Sequence, residues 1–314
     1  MIPRRPLGRT GLDVSVLSLG AGPIPALMTA GTSDVQRAVL RRALQHGINW
    51  IDTAASYGGG RSEQNLGDSL RDLGALEGFH LATKVRLMPD QLAQRSIRDI
   101  VRDSVTGSLK RLGVERLALL QLHNSVTGDR GDLPTSLTVE DVLGPQGVCQ
   151  AMQELQDEGI VDHLGLTGLG PVSALRELIA SDRFATLQVP YHLLNPTAGE
   201  AAATGWIETD HGQIIDDCAS AGLGVFAIRV YAGGAILGRP PAEHTYTTRF
   251  FPLDLYQRDA RRAADLAATL PTGDTPQRAA VRFAIDNRAV TSAIIGFSET
   301  AHVDAAVAAL PSGL

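Results

Sequence analysis

Cysteine is scarce: Cys149 and Cys218 stand far apart and outside any Cys-x-x-Cys frame. That scarcity excludes a disulfide scaffold, argues against a thiolate zinc site, and suits a reducing, cytoplasmic setting. Aromatic residues make up only 4% of the chain, too few to expect a broad aromatic pocket. Basic charge is not in excess: 28 Lys and Arg face 34 Asp and Glu, a net charge of −6. A nucleic-acid binder would show a basic surplus or stripe. Long apolar runs are missing too. None approaches the ~20 residues that span a bilayer, and Met1-Ile2-Pro3-Arg4-Arg5-Pro6 has no apolar stretch behind it, so no secretory signal is expected. No linker or low-complexity tract divides the chain, so residues 1–314 read as one domain. The expected partner is a small molecule, with neither nucleic acid nor membrane, for a monomer or homo-oligomer.

What the chain does have is a beat. Short strands rich in Val, Ile and Leu fall at residues 14–19, 49–53, 79–83, 116–122, 160–167, 186–189, 225–230 and 291–295. Amphipathic helical patterns alternate with them at 33–46, 62–73, 99–112, 148–158, 171–180, 213–221, 275–286 and 300–310. Ser33 and Gly47 suit the two caps of the first helix, and Pro276 suits the opening turn of a later one. Continuous aliphatic strands fit a sheet covered on both faces. Strict alternation implies parallel strands with right-handed crossovers. Eight such units predict a closed (β/α)8 TIM barrel in preference to an open doubly wound sheet. Two long connections, 124–147 and 231–257, follow the fourth and seventh strands and should emerge at the C-terminal rim, where barrel sites lie. The opening stretch around Gly8-Arg9-Thr10-Gly11 reads as a hairpin placed to plug the bottom.

The strand ends carry the chemistry. The second strand runs into Asp52, the third into Lys84 and the fourth into His123, with Tyr57 just above, next to Gly58-Gly59-Gly60. Neighbouring strands lie ~4.8 Å apart, so these groups can meet within about 10 Å at the mouth. A phenol ordinarily ionises near ~10 and is a poor acid or base at neutral pH. An ammonium beside it favours the phenolate, making it a usable proton donor and acceptor. Asp52 would hold Lys84 charged, and His123 would orient a carbonyl oxygen. Each residue alone has a bland reading, as loop anchor, cap or satisfied core histidine. All four at one end of three successive strands are harder to explain that way.

The stretch Gly47-Ile48-Asn49-Trp50-Ile51-Asp52-Thr53-Ala54-Ala55-Ser56-Tyr57-Gly58, followed by Ser62-Glu63, resembles the signature of the aldo-keto reductases. Ala82-Thr83-Lys84 and Leu120-Gln121-Leu122-His123 resemble that family's other two catalytic segments, and Arg5-Pro6-Leu7-Gly8-Arg9-Thr10-Gly11-Leu12 its bacterial N-terminal hairpin. The resemblance implies a catalytic tetrad of Asp52, Tyr57, Lys84 and His123. It also implies NADP(H) or NAD(H) bound across the barrel mouth, NADP(H) slightly favoured, without a Rossmann domain. Gly165-Leu166-Thr167-Gly168-Leu169-Gly170 has its glycines in the wrong order for a Rossmann loop.

Carried over position by position, the cofactor set is Gly22, Thr167, Gly168, Gln188, Arg229, Gly233, Gly234, Gly296, Ser298 and His302. Departures are visible: Thr167-Gly168 replaces the usual Ser-Asn, Ile228 or Arg229 stands where a stacking ring is common, and Ala305-Ala306 replaces an adenine-holding Glu-Asn pair. Asn124, His192, Trp206 and Tyr231 are loop candidates for the substrate pocket. The remaining histidines lack the pairings of a metal site, and none is expected. The implied activity is hydride transfer between NAD(P)H and an aldehyde, ketone or sugar. The alternatives are a cofactor-binding regulatory subunit without turnover and a Schiff-base isomerase or aldolase using Lys84, the latter disfavoured by the neighbouring Asp52.

Overall fold

In the computed structural model, which describes residues 1–248 and 251–311, eight parallel strands close into a barrel. They are β1 (Leu17–Gly20), β2 (Trp50–Asp52), β3 (His80–Val85), β4 (Leu117–Leu122), β5 (Val161–Thr167), β6 (Thr186–Pro190), β7 (Gly224–Ile228) and β8 (Val290–Ile295). Each strand pairs with the next in sequence, and β8 returns to β1 through Ala293↔Leu17 and Ile295↔Leu19. The outer ring is α1 (Ser33–His46), α2 (Arg61–Leu73), α3 (Ile97–Leu112), α4 (Val148–Asp157), α5 (Val172–Ala180), α6 (Ile214–Ser220), α7 (Pro276–Asp286) and α8 (Thr300–Ala308). The closed barrel is therefore the architecture expected from the alternation of strand and helix.

Local chemistry sets the boundaries. Ser96 caps α3 by accepting the Asp99 N–H, and Thr275 caps α7 in the same way, with Pro276 in the first turn. Gly47 ends α1 and Gly113 ends α3 with left-handed backbone, which glycine adopts without penalty. Every residue of β2 and β6 is buried, as a sheet covered inside and out requires.

Two expectations need correction. The run at 14–19 is not one strand. Asp13–Ser15 pairs antiparallel with Arg4–Pro6, and the barrel strand starts only at Leu17. Ser15 makes the break: its N–H bonds Asn49 Oδ1 and its hydroxyl bonds the Leu17 carbonyl. The connection at 231–257 is also not a plain loop. It holds short turns and then a long helix, Leu253–Thr269, whose first residues fall inside it; positions 249–250 lie outside the described residues.

Inside the barrel, side chains stack in layers because strand residues alternate faces. The floor is Trp50, Ala82, Leu119 and Phe226, closed from below by Leu7 and Val14 of the N-terminal hairpin. The Trp50 and Phe226 rings lie 5.0 Å apart. The hairpin is pinned by the Arg5 guanidinium, which donates to the carbonyls of Ile285, Asn287 and Val290. One rung above the floor the aliphatic rule breaks, and Asp52, Lys84, Gln121 and Gln188 face inward together.

Candidate functional site

This polar rung is a closed network. Lys84 Nζ donates to Asp52 Oδ2 at 2.5 Å, to the Thr53 carbonyl at 2.8 Å and to the Tyr57 oxygen at 3.2 Å. Asp52 Oδ1 accepts from Gln188 Nε2 at 2.5 Å and from Gln121 Nε2 at 3.0 Å. Burial works against the Lys84 ammonium, but Asp52 and the Tyr57 oxygen outweigh it and hold its pKa above the ordinary lysine value. An ion pair this deep holds only with its remaining hydrogen bonds satisfied, and the two glutamines and the Thr53 carbonyl help satisfy them.

Tyr57 reaches the network from the turn between β2 and α2, where Gly58, Gly59 and Gly60 all take positive φ. The Ser62-Glu63 pair fixes that turn from behind. Ser62 Oγ donates to the Ala21 carbonyl at 2.7 Å, and Glu63 accepts from Thr83 at 2.5 Å and from Arg111 at 2.7 Å. His123 meets the Tyr57 ring edge-on, centroids 5.6 Å apart, with Ser56 Oγ 3.4 Å from its Nδ1. Burial first, then the charges of Arg86 and Lys84, push the His123 pKa well below the usual imidazole value. It is a neutral hydrogen-bonding group at physiological pH. The four residues read from the strand ends do sit together.

They line a cavity of about 690 Å³ at the C-terminal mouth, bounded also by Gly22, Arg86, Pro134, Thr167, Gln188 and Thr247. A second lobe of about 290 Å³ adjoins it and shares Ile24, Arg229, Phe251, Ile294 and Gly296 with the first. Gly233, Gly234, Tyr231, Arg239 and His302 line that second lobe. Gly233 and Gly234 have φ of 65° and 102°, and a Cβ on Gly233 would lie 2.5 Å from the Phe251 ring. Arg229 is itself a non-glycine residue at positive φ, 58°, at the end of β7. Burial brings its pKa down to about 10, with Asp259 opposing, so it stays charged at neutral pH.

Other expected positions fall elsewhere. Asn124 is a loop anchor: its amide bonds the Leu87 and Thr135 carbonyls and the Leu87 N–H. His192 is buried in a tight turn with Asn195, its pKa lowered to about 3 by burial and by Arg229. The Trp206 ring stacks under Arg262, 5.7 Å from the guanidinium carbon. None of these three lines the cavity, which corrects their reading as substrate contacts. Gly168 turns its N–H to the Gln188 carbonyl at 2.6 Å, and Ser298 bonds His302 Nδ1 at 2.9 Å. Both support neighbours of the groove and do not form its wall. Of the four loop candidates Tyr231 alone lines a lobe, its phenol pushed up to about 12 by burial against the opposing Gln277.

Gln121, Arg86 and Arg239 are among the residues of the site that escaped the sequence reading. Gln121 was signalled by parity, a polar residue at an inward position two beyond Leu119. Arg86, two beyond Lys84, has the same signal. Arg239, whose guanidinium lies 2.6 Å from His302 Nε2, arrives from a loop held by Tyr256 and had no local signal.

A parallel barrel with an ammonium–carboxylate–phenol relay at its mouth defines a rim-site α/β-barrel protein. The match to the family model "Aldo/keto reductase family" runs over residues 17–312, and the chain belongs to that family. Among curated relatives, L-galactose dehydrogenase of Arabidopsis thaliana is 26% identical over 98% of this chain and 88% of its own length. D-threo-aldose 1-dehydrogenase of a Pseudomonas species is 27% identical over 97% and 93%. The holo form of aldo-keto reductase AKR11C1 from Bacillus halodurans superposes with a TM-score of 0.72 at 22% identity, covering 99% of this chain and 92% of that one, a likeness of fold.

Aldo-keto reductases use a nicotinamide dinucleotide, and the groove fits one by the chemistry of its donors. The amide of Gln188 lies at the relay end, the cations Arg229 and Arg239 lie along the second lobe, and two positive-φ glycines bring bare backbone to the wall between them. Among the described residues no helix is long and apolar enough to cross a membrane.

Proposed function

We propose that the chain interconverts a carbonyl and an alcohol with NAD(P)(H), acting on an aldehyde, ketone or sugar, with residues 1–314 as one catalytic domain. The observation that carries this reading is the Lys84 ammonium held between Asp52 and the Tyr57 oxygen in the wall of an open cavity. The dinucleotide, when bound, supplies or accepts the hydride. Tyr57 gives its proton to the carbonyl oxygen in reduction and takes one back in oxidation. The Lys84 ammonium, already donating toward that phenol oxygen, stabilises the negative charge left there. Asp52, fixed by Gln121 and Gln188, keeps Lys84 charged and stationary. Neutral His123 hydrogen-bonds the carbonyl oxygen and turns it toward Tyr57.

For the cofactor we assign Gly22, Thr167, Gln188, Arg229, Gly233, Gly234, Gly296 and His302, and add Arg239; Gly168 and Ser298 act behind them. NADP(H) is read ahead of NAD(H), a preference that the Arg239–His302 pair supports. The names of the two curated relatives favour a sugar among the possible substrates.

Titrating NADPH and NADH against intrinsic fluorescence, followed by a carbonyl and sugar panel read at the nicotinamide absorbance, tests the proposal. Tyr57→Phe is expected to lower turnover by about 10²–10⁴-fold while dinucleotide affinity holds. A variant that turns over normally, or a wild-type chain that takes up neither dinucleotide, overturns it.

A further inference from the structure

Asn124 follows the His123 of the relay and is fully buried. Its side-chain amide joins two separate stretches of chain. Asn124 Oδ1 accepts from the Leu87 N–H at 2.9 Å, and Nδ2 donates to the Leu87 carbonyl at 2.8 Å and to the Thr135 carbonyl at 2.6 Å. Each partner stands next to a wall residue: Leu87 follows Arg86, and Thr135 follows Pro134. Arg86, His123 and Pro134 all line the larger lobe, and none of them lines the smaller one. One amide therefore fixes the reaction end at three points and makes no hydrogen bond to the second lobe. Thr135 shows why the segment needs holding. It sits at φ 60°, a left-handed conformation that is costly for a β-branched side chain. Its own hydroxyl is buried with no hydrogen-bond partner among the described residues, so it does not offset the strain. The base of the 124–147 connection is pinned separately, by pairing of Val126–Thr127 with Leu137–Thr138. Above that pairing the Asn124 amide ties Thr135, and with it Pro134, to the chain leaving β3.

From this arrangement we infer that Asn124 is a positioning residue that sets which carbonyl compounds fit, by holding Pro134 against the reaction chamber through a strained turn. The inference rests on the proposed carbonyl chemistry and adds a determinant of its substrate range. Without the amide, the Leu87 and Thr135 backbone groups lose a buried partner and Thr135 is free to leave its left-handed conformation. The wall then recedes on the substrate side alone. Small carbonyl compounds lose contact and orientation, bulkier ones gain room, and dinucleotide binding is untouched.

The test compares glyceraldehyde with 4-nitrobenzaldehyde in the wild-type enzyme and in Asn124→Ala, well below the melting temperature of both. The variant is expected to shift the kcat/KM ratio toward the aromatic aldehyde by about tenfold, mainly through KM, with affinity for NADPH and NADH held within about twofold. Combining Asn124→Ala with Thr135→Gly is expected to regain part of the wild-type ratio, because glycine holds the left-handed turn without strain. A purely stabilising role for Asn124 would lower both substrates in parallel and leave the ratio intact. That result, or an equal loss of dinucleotide affinity, overturns the inference while leaving carbonyl reduction standing. Should Asn124→Ala not fold, Pro134→Gly removes the wall side chain and keeps the amide: the same shift supports the inference, and an unchanged ratio overturns it. If the wild type reduces neither aldehyde, hydrogen exchange decides. Faster exchange in Asn124→Ala at Leu87 and at 135–138, with 231–238 unchanged, supports the positioning role; equal exchange in the two proteins, or a rise along the whole chain, overturns it.

Discussion

Asp52, like Lys84, makes three side-chain hydrogen bonds in the site. Its two oxygens answer one ammonium and two amides, so removing its charge should be felt twice. Asp52→Asn would leave the Lys84 ammonium buried without its carboxylate, a change that costs on the order of 3–5 kcal/mol. The same substitution removes the main influence holding the Lys84 pKa up, so the ammonium would lose its proton at lower pH. Urea unfolding should show the destabilisation, and the alkaline limb of the pH–kcat profile should move toward neutrality. An unchanged alkaline limb would show that Lys84 does not govern the working protonation state. The four strand-end residues were legible because strand direction and two-residue periodicity place them without any three-dimensional knowledge. Asn124, His192 and Trp206 were misread for the opposite reason. Asn124 bonds the Leu87 and Thr135 carbonyls, Trp206 meets Arg262 of a helix, His192 turns back on Asn195, and nothing in the sequence distinguishes such an anchor from a pocket wall.

At the scale of elements, the alternation of strand and helix was readable because each buries an aliphatic face of definite period. The helix Leu253–Thr269 was passed over although its buried Tyr256, Asp259 and Ala263 recur at helical spacing, because it stands outside the one-strand, one-helix beat of the barrel. The division at Ser15 was hidden too, since both sides of it are buried and apolar. Helix packing also reverses a simple propensity rule. In α2, Gly67 lies against the end of α3, and an added Cβ would fall 2.5 Å from the Arg111 carbonyl oxygen and 2.6 Å from that of Leu112. Alanine is the better helix former by about 1 kcal/mol in an open helix. Here crowding of backbone costs about 1–3 kcal/mol, so Gly67→Ala is expected to destabilise the fold by about 1 kcal/mol in chemical denaturation. A stabilised variant would mean that the two helices can part without loss.

The molecule as a whole holds several imidazoles neutral by burial. His192 is brought to about 3 and His211 to about 4, both by burial first and then by Arg229. The unfolded chain binds protons at these residues below ~6.5, whereas the folded chain does not until far lower pH. Stability is therefore fully present above that value and falls as pH drops from about 6.5 to 4. Between pH 7 and 5 His192 alone accounts for about 2 kcal/mol of the loss. Asp259 works the other way. Burial and Glu208 raise it to about 6, so the folded state takes up a proton first and recovers part of the loss. Calorimetric melting at pH 7 and 5 should show a lower Tm at pH 5, with a smaller difference in His192→Gln. Equal melting temperatures would show that these imidazoles are hydrated in the native state. The sealed floor under Trp50 and Phe226 has a kinetic corollary. With Leu7 and Val14 stoppering one end, the described residues leave the relay open toward the C-terminal mouth, so two ligands that met there would have to approach from the same side.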